Sequence, residues 1–352
     1  MKSVCVIGIA GYSGSGKTTL IRKILPELKR QGLAVGILKH THHKLAIDVR
    51  GKDTDVFYRA GADFVSAHDD LQGFARYRSS DMSLAEHIRR FPSALDLIIV
   101  EGHKDTNLSG IWLETGSADG CTARSGSDKR RVVCRDDPGY YANVLIHIQQ
   151  ELERFHLQRP VNAGLLIGGR SSRMGQPKSL LKMKGRTLAA RSFGMLADVS
   201  EKRVLLGSGQ VPGSLRLADR LADAPGVHGP LAGMLSAFRW SPDSAWIISS
   251  VDMPLMNKEA WKWLLSQRKP GAWAVLPKIK GSRGVETTGA IYEPMIFEHV
   301  EALAADGRAS LQEIAKHGKV ITPVIPESLS RAWANVNTPG EWGKILCSAQ
   351  EL

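Results

Sequence analysis

The chain has 352 residues, enough for about two domains, and with 43% hydrophobic residues each half can bury its own core. A formal net charge of +12 favours anionic partners: nucleotides, phosphorylated metabolites or nucleic acid. No DNA- or RNA-binding motif is visible and aromatic residues make up only 6%, which argues against nucleic acid. No segment is apolar over enough residues to cross a bilayer, so no membrane association is expected.

The four cysteines are scattered, and no pair has the spacing of a zinc site: Cys5, Cys121, Cys134 and Cys347. This pattern is typical of reduced thiols, so we expect a cytoplasmic protein. The apolar run at residues 4–10 leads directly into a glycine-rich loop. It is therefore interpreted as a strand rather than a signal peptide.

Strands and helices alternate along the first half of the chain. The pattern predicts strands at residues 4–10, 33–39, 62–67 and 95–101, and helices at 17–32, 83–91 and near 140–155. Alternation of this kind predicts a parallel sheet covered by helices.

After a short linker near residue 158 the alternation starts again. Strands are predicted at residues 163–168, 203–207, 215–218, 245–251, 287–292 and 320–325, and helices at 187–196 and 231–240. The glycine patterns of the halves differ, so they are not internal repeats. We expect two different α/β domains, at residues 1–158 and 159–352.

The stretch "GYSGSGKTT" contains the pattern G-x-x-x-x-G-K-[ST] between a predicted strand and a predicted helix, the context that a phosphate-binding P-loop needs. Backbone N–H groups of such a loop face the β-phosphate, the lysine neutralises phosphate oxygens and the threonine binds Mg²⁺. The predicted nucleotide-binding residues are Gly11, Gly14, Gly16, Lys17, Thr18 and Thr19. The same pattern predicts Thr18 as a metal ligand.

A P-loop also needs an acidic residue near its metal, and "DLIIVEG" offers Asp96 and Glu101. These residues open and close one strand, about 16 Å apart at about 3.3 Å per residue. Ligands bind at the carboxyl ends of parallel strands, so Glu101 is the predicted metal ligand and Asp96 is expected to be structural.

The stretch "KHTHH" follows the second strand with His40, His42 and His43. These imidazoles suit a metal, a phosphate, or a polar loop at the nucleotide end of the sheet. The sequence leaves the three interpretations open.

A second glycine loop, "LIGGRSSRMGQPKSLL", follows the first strand of the second half but lacks the G-K-[ST] ending. Gly168 and Gly169 let the backbone approach a phosphate or base closely, and Arg170, Arg173 and Lys178 add positive charge. Enzymes that transfer a nucleotidyl group need such a cradle, because charge must be stabilised as pyrophosphate departs.

Carboxylates that hold Mg²⁺ are then required, and two predicted strands supply them at the same rim. Asp219 ends the strand at 215–218, with Asp223 as a competitor further into the loop. Asp252 follows the apolar strand at 245–251 and is the predicted catalytic metal ligand. The alternative for Asp252 is a turn-forming residue before Pro254.

Three separated blocks of the first half, "GYSGSGKTTLIRKILPELKRQGLAVGILKHTHH", "GKDTDVFYRAGADFV" and "DLIIVEGHK", resemble MobB, the GTP-binding adaptor of molybdenum-cofactor maturation. The resemblance covers roughly residues 1–115. It implies a P-loop NTPase-type domain that binds GTP and is at most a weak GTPase.

Four blocks of the second half, "LIGGRSSRMGQPKSLL", "DRLADAPGVHGPLAGM", "SVDMP" and "NVNTPGEW", resemble MobA, the molybdenum cofactor guanylyltransferase. The resemblance implies a Rossmann-like nucleotidyltransferase domain. It also implies that Asp252 binds Mg²⁺ and that Asn335 and Asn337 face the pterin. The residues implied to contact GTP or shape its site are Leu166, Ile167, Gly168, Gly169, Arg173, Lys178, Asp219, Gly229 and Gly233.

The two loops therefore predict two nucleotide sites in a fusion of a MobB-like and a MobA-like domain. The expected reaction transfers GMP from GTP to molybdopterin with Mg²⁺, and Lys178 and Asp252 are the expected catalytic residues. The resemblance implies apo-molybdoenzymes and molybdenum-insertion proteins as partners. Two alternatives stay open: a nucleotidyltransferase of other base or substrate specificity, and a non-catalytic GTP-dependent module that binds and delivers cofactor.

Overall fold

The computed structural model describes residues 4–41, 45, 48–79, 82–115, 129–168 and 174–350. In the first half the strands are β1 (Cys5–Gly11), β2 (Val35–Lys39), β3 (Phe64–His68), β4 (Gly73–Tyr77), β5 (Leu97–Glu101), β6 (Gly110–Glu114) and β7 (Arg130–Cys134). The helices are α1 (Lys17–Arg30), α2 (Asp53–Arg59), α3 (Leu84–Arg89) and α4 (Tyr140–Leu157). Five of the strands form one parallel sheet in the order β2-β5-β1-β6-β7.

Apolar patterning explains why this sheet forms. All five residues of β5 are buried, as expected for a parallel strand that is covered on both faces. Helix α1 places Leu20, Ile24 and Leu28 four residues apart on one buried face. The helix predicted at 17–32 is thus confirmed, as are those at 83–91 and near 140–155.

The strand predicted at residues 62–67 exists but lies outside the parallel sheet. As β3 it pairs antiparallel with β4 in a separate hairpin. Its residues alternate between exposed and covered positions, with Phe64 54% exposed and Val65 buried. This period of two fits a half-exposed hairpin and does not supply the continuous apolar run of a central parallel strand.

In the second half the strands are β8 (Val161–Leu166), β9 (Lys182–Met183), β10 (Arg186–Thr187), β11 (Lys202–Leu206), β12 (Arg220–Leu221), β13 (Ala245–Ser250), β14 (Ala274–Val275), β15 (Ala290–Tyr292) and β16 (Val320–Ile321). The helices are α5 (Leu188–Leu196), α6 (Pro230–Trp240), α7 (Lys258–Ser266), α8 (Phe297–Ala305) and α9 (Pro339–Gln350). The main sheet has the order β12-β11-β8-β13-β15-β14-β16, and β15 runs antiparallel to both its neighbours. The predicted boundary near residue 158 lies between α4 and β8, and its exact position stays a prediction.

The strand predicted at residues 215–218 is wrong. Residues Gly213–Leu215 form a turn of 3-10 helix, Leu217 is 99% exposed, and β12 begins only at Arg220. Leu217 has no neighbouring core to pack against, so the local apolar alternation does not produce a strand. Asp219 therefore precedes β12 instead of ending a strand.

The two halves contact each other through the amino ends of their strands. Asp96, immediately before β5, is 7% exposed and accepts hydrogen bonds from Trp273 Nε1 at 2.8 Å and Lys319 Nζ at 3.0 Å. Trp273 precedes β14 and Lys319 precedes β16. The carboxylate also accepts from Ala34 N at 2.7 Å, so Asp96 connects both halves.

A second buried cluster lies at the same contact. Glu293, 1% exposed after β15, accepts from Arg159 at 2.8 Å and from Arg268 at 2.7 Å. His156 of α4 lies 3.6 Å from Glu293, yet burial outweighs that attraction and lowers the pKa of His156 to about 4. Buried charges that are paired in this way make loss of one partner costly.

This contact puts the carboxyl ends of the two sheets on opposite sides of the molecule. Gly11 and Glu101 close strands of the first sheet, whereas Gly168 and Asp252 follow β8 and β13 of the second. Strands of five and six residues are about 16 and 20 Å long at about 3.3 Å per residue, so each rim lies about one strand length from the contact. The two predicted nucleotide sites therefore face away from each other.

No helix within the described ranges is long and apolar enough to cross a membrane. Cys5 and Cys347 are free thiols, and burial raises the pKa of Cys5 to about 12. Cys134 is disulfide-bonded, so the expectation of reduced thiols is wrong for that residue. Cys121 lies outside the described residues.

Candidate functional site

The first loop has the backbone that a phosphate cradle requires. Gly16, which caps α1, has a φ of 95°, in the left-handed region that favours glycine. A Cβ on Gly11 would lie 2.4 Å from the carbonyl oxygen of Leu113, so no larger residue fits there. The amino end of α1 then directs free N–H groups at a bound anion.

The loop's polar side chains meet at the end of β5. Thr18 Oγ1 donates to Glu101 Oε1 at 2.6 Å, and Lys39 Nζ lies 3.7 Å from the same oxygen. Lys17 Nζ donates to the carbonyl oxygens of Gly11 at 3.2 Å and Tyr12 at 2.7 Å. Thr18 and Glu101 supply the oxygen donors that Mg²⁺ prefers, whereas Asp96 lies at the opposite end of the strand.

A cavity of about 340 Å³ opens beside this loop. Its walls include the phosphate loop, the end of β2 and the turn at residues 102–106 that follows β5. Burial lowers the pKa of Lys17; the charge on Glu101 opposes this, and Lys104 and Lys39 lower it further. This concentration of positive charge suits a polyanion.

Of the predicted histidine cluster, His40 lines the cavity. His42 and His43 lie outside the described residues. His103, which sequence reasoning did not single out, lies opposite, and burial together with the nearby His40 lowers its pKa.

A larger cavity, of about 1000 Å³, opens at the carboxyl ends of β8, β11 and β13. Its size is at the upper end for small-molecule sites, so it has room for two substrates together. Its walls come from separate segments of the chain: residues 166–168, 175–179, 206, 208–210, 223, 229–230, 250–252, 287–288, 311 and 335.

Asp252 lies in this cavity with one unsatisfied oxygen. Within the described ranges its Oδ1 is buried without a hydrogen-bond partner, and its Oδ2 lies 3.7 Å from Lys178 Nζ. Burial raises the pKa of Glu286, and the charge on Asp252 raises it further. The buried unpaired oxygen of Asp252 favours a cation beside it.

These donors fit Mg²⁺. Within the described ranges no group of three or more His, Cys, Asp and Glu side chains is placed to hold a metal ion. Mg²⁺ at phosphate-transfer sites usually takes one or two carboxylates and completes its shell with waters and substrate phosphates. Asp252 at the larger cavity, and Thr18 with Glu101 beside the phosphate loop, match that requirement.

Lys178 is held by a distant part of the chain. Its Nζ donates to Asn337 Oδ1 at 2.8 Å, across 159 residues of sequence. The backbone N–H groups of Asn337 and Thr338 donate to Glu341 Oε2 at 2.7 and 3.0 Å, which fixes this loop at the start of α9. The backbone N–H of Val336 donates to the carbonyl oxygen of Asp252 at 2.8 Å, so one loop positions both candidate catalytic residues.

Two family models match the chain in sequence. Residues 6–120 match molybdopterin guanine dinucleotide synthesis protein B, MobB, and residues 163–320 match the MobA-like NTP transferase domain. The two halves of the chain are therefore called the MobB domain and the MobA-like domain after the models that they match. The α/β fold class with two domains is thereby confirmed.

Each similar protein matches only part of this chain. The molybdopterin-guanine dinucleotide biosynthesis adapter protein of Haemophilus influenzae is 37% identical over 110 residues, 31% of this chain, and the match spans 62% of that protein's length. The molybdenum cofactor guanylyltransferase of Xanthomonas euvesicatoria pv. vesicatoria is 29% identical over 195 residues, 54% of this chain and 96% of that protein. The crystal structure of molybdopterin-guanine dinucleotide biosynthesis protein A from Archaeoglobus fulgidus covers 54% of this chain and 100% of its own, with 19% identity and a TM-score of 0.47.

In the MobA-like domain the cavity brings together most of the predicted residues. Those that line it are Leu166, Ile167, Gly168, Lys178, Gly229, Asp252 and Asn335. Asn337 accepts a hydrogen bond from Lys178, which lines the cavity. Gly233 is buried in α6, where a Cβ would lie 2.8 Å from Leu166 Cδ2, so it allows the helix to approach β8. Gly169 and Arg173 lie outside the described residues.

Asp219 is not among the residues that line this cavity, whereas Asp223 is. Asp223 follows β12 by two residues, and its Oδ1 lies 3.2 Å from the position of a Cβ on Gly207. Sequence reasoning preferred Asp219 because it placed the strand too early. The rule that ligand residues follow strands would have selected Asp223 from the correct strand.

In the MobB domain the six predicted loop residues, Gly11, Gly14, Gly16, Lys17, Thr18 and Thr19, lie together at the start of α1, and Gly11 and Lys17 line the cavity. Arg135 was missed. Its Cδ lies 3.3 Å from the position of a Cβ on Gly16, so its side chain packs over the loop. It follows β7, and no motif in the sequence marks it.

Proposed function

We propose that the MobA-like domain transfers GMP from GTP to molybdopterin, or to its molybdenum form, and releases pyrophosphate. The observation that carries the proposal is the placement of Lys178 and the under-paired carboxylate of Asp252 in one cavity with the glycine turn at Leu166–Gly168. The name of the Xanthomonas relative supports this substrate pair.

The reaction needs positioning and charge stabilisation rather than a protein nucleophile. An oxygen of the pterin's terminal phosphate attacks the α-phosphorus of GTP, and the bond from that phosphorus to the bridging oxygen of pyrophosphate breaks. Lys178, which Asn337 orients, neutralises charge that develops on the departing pyrophosphate. Asp252 would hold Mg²⁺, which supplies neutralisation of the phosphate charges when bound.

The remaining cavity residues divide between the two substrates. Leu166–Gly168, Gly229 and Asp223 lie toward β11 and α6 and are proposed to contact GTP. Asn335 lines the cavity and Asn337 accepts a hydrogen bond from Lys178, and both are proposed to face the pterin. Asp223 takes the role that the sequence suggested for Asp219, because Asp223 lines the cavity.

For the MobB domain we propose GTP binding by the loop at Gly11–Thr19, with Mg²⁺ on Thr18 and Glu101. The Haemophilus relative is named an adapter, which supports a role in passing finished cofactor to apo-molybdoenzymes or molybdenum-insertion proteins. We place both activities in the cytoplasm and keep residues 1–158 and 159–352 as the proposed domain limits.

The proposal is tested by incubating the full chain and Mg²⁺ with molybdopterin and each of ATP, CTP, GTP and UTP, while pyrophosphate release is measured. Release with GTP alone, together with a guanine dinucleotide product, is expected. Turnover with CTP would indicate a different base specificity. Molybdopterin binding without any pyrophosphate release would indicate a binding and delivery module.

A further inference from the structure

Two histidine rings contact each other in the wall of the MobB-domain cavity. His40 follows β2 and His103 follows β5, and these strands are neighbours in the sheet. Their ring centroids are 4.6 Å apart with planes tilted by 44°, and both residues line the cavity. The pair lies outside the phosphate-loop motif, and His103 is not among the residues predicted from the sequence.

His103 is held in an uncommon backbone conformation. Its φ is 49°, and within the described ranges only one other non-glycine residue, Lys184, has a positive φ. Thr106 holds the turn, because its N–H and its Oγ1 both donate to the carbonyl oxygen of His103, at 3.2 and 2.7 Å. Backbone strain persists where surrounding contacts maintain it, and it concentrates at ligand sites.

The residue between Glu101 and His103 adds to this arrangement. Gly102 has a φ of 96°, and a Cβ there would lie 3.6 Å from the Cβ of His40. The turn therefore brings the two histidines together immediately after Glu101, which holds the hydroxyl of Thr18.

The chemistry of the cavity indicates what the pair contacts. Lys17 and Lys104 line the same space as the two rings, so an anion is favoured there. In a P-loop the lysine reaches the β- and γ-phosphates, which places the last phosphate of a triphosphate beside Lys17. Imidazole N–H groups donate well to phosphate oxygens.

We propose that His40 and His103 contact the terminal phosphate of a nucleoside triphosphate in the MobB domain, and that this contact distinguishes a triphosphate from a diphosphate. The proposal rests on nucleotide binding by the loop at Gly11–Thr19. A diphosphate occupies the loop and leaves the histidine pair without a phosphate partner. A triphosphate extends between the loop and the pair and ties the turn after Glu101 to the nucleotide.

The test measures binding of GDP and of a non-hydrolysable GTP analogue to the full chain by calorimetry. Lys17→Ala identifies the component due to the MobB domain, because that component disappears in this variant. His103→Gly removes the ring and keeps a backbone that tolerates positive φ. His103→Asn also tolerates positive φ and retains a hydrogen-bond donor in its side chain. His68→Ala, on the exposed end of β3, is the matched control.

For His103→Gly we expect the MobB-domain affinity for the GTP analogue to fall about tenfold, the effect of losing a hydrogen bond to a charged group, with GDP affinity within about twofold of wild type. His103→Asn should recover part of the loss, His40→Ala should lower analogue affinity selectively, and His68→Ala should change neither ligand. Equal losses for both nucleotides in His103→Gly, or none, would overturn the proposal. If the wild-type chain lacks the component that Lys17→Ala removes, nucleotide binding by this domain itself is wrong.

Discussion

The two nucleotide sites are built in different ways. In the MobB domain the phosphate loop is one continuous stretch between β1 and α1, and Glu101 and the histidine pair are added from the ends of two neighbouring strands. In the MobA-like domain the cavity walls come from many segments between residues 166 and 335, and Lys178 depends on Asn337. The first site follows from local sequence, whereas the second exists only once the sheet is assembled.

The arrangement of the halves strengthens this contrast. The amino ends of the two sheets contact each other through Asp96 and Glu293, so each cavity opens on its own side of the molecule. The cavity walls of each site come from one half alone. We therefore expect changes in one site to leave the chemistry of the other intact.

The largest expected effect is at Asp252. Asp252→Asn keeps the volume and removes the charge that would hold Mg²⁺, so pyrophosphate release should fall at least about a hundredfold, given several kcal/mol of metal stabilisation. GTP binding by the MobB domain should be unchanged in calorimetry. Wild-type turnover in this variant would rule out the metal role of Asp252.

Lys17→Ala should affect GTP binding by the MobB domain and leave GMP transfer by the MobA-like domain intact. Loss of its charged donor should weaken GTP binding to the MobB domain about thirtyfold, while GMP transfer stays within about twofold of wild type. Lys23→Ala, on the exposed face of α1, is the control for loss of a positive charge. If Lys17→Ala abolishes transfer, the first loop takes part in the catalytic cycle of the second site.

A smaller effect, on the KM for GTP, should distinguish Asp223 from Asp219, the two acidic residues beside β12. Asp223→Ala should raise the KM for GTP about fivefold to tenfold, because a hydrogen-bond acceptor is lost from the cavity wall. Asp219→Ala, an exposed residue before the strand, should change KM by less than about twofold. The reverse order in steady-state kinetics would restore Asp219 as the ligand.

The smallest effect concerns the contact between the halves and depends on pH. Below the ordinary pKa of 6.5 the unfolded chain protonates His156, whereas burial delays protonation in the folded protein to about pH 4. Stability should therefore fall as the pH decreases from about 6.5 to about 4. Thermal unfolding of His156→Gln should show a flatter pH dependence across this window, and His68→Gln should follow wild type. An unchanged slope in His156→Gln would exclude His156 as the cause.

The sequence by itself determined the parts of this protein that depend on neighbouring residues. The P-loop at Gly11–Thr19 was recognisable because glycines at turn positions and a lysine at the helix start act within one turn of backbone. Glu101 followed from the rule that ligands bind at the carboxyl ends of parallel strands, and Asp252 followed from the same rule. Strands β1, β5, β8 and β13 were also predictable, because burial imposes a pattern that sequence displays directly. Strands β6 and β7 of the parallel sheet were not predicted.

The tertiary structure alone decided what depends on distant residues. Local apolar patterns do not specify which segments pack against a strand or a loop. They therefore did not show that the strand at Phe64–His68 lies outside the parallel sheet. Nor did they show that Asp223, rather than Asp219, lines the cavity. The pairings Lys178–Asn337, His40–His103 and Asp96–Trp273 each join residues far apart in sequence. Hydrogen bonds and ring contacts act only over a few ångströms, so these pairings arise only when folding brings their strands and loops together.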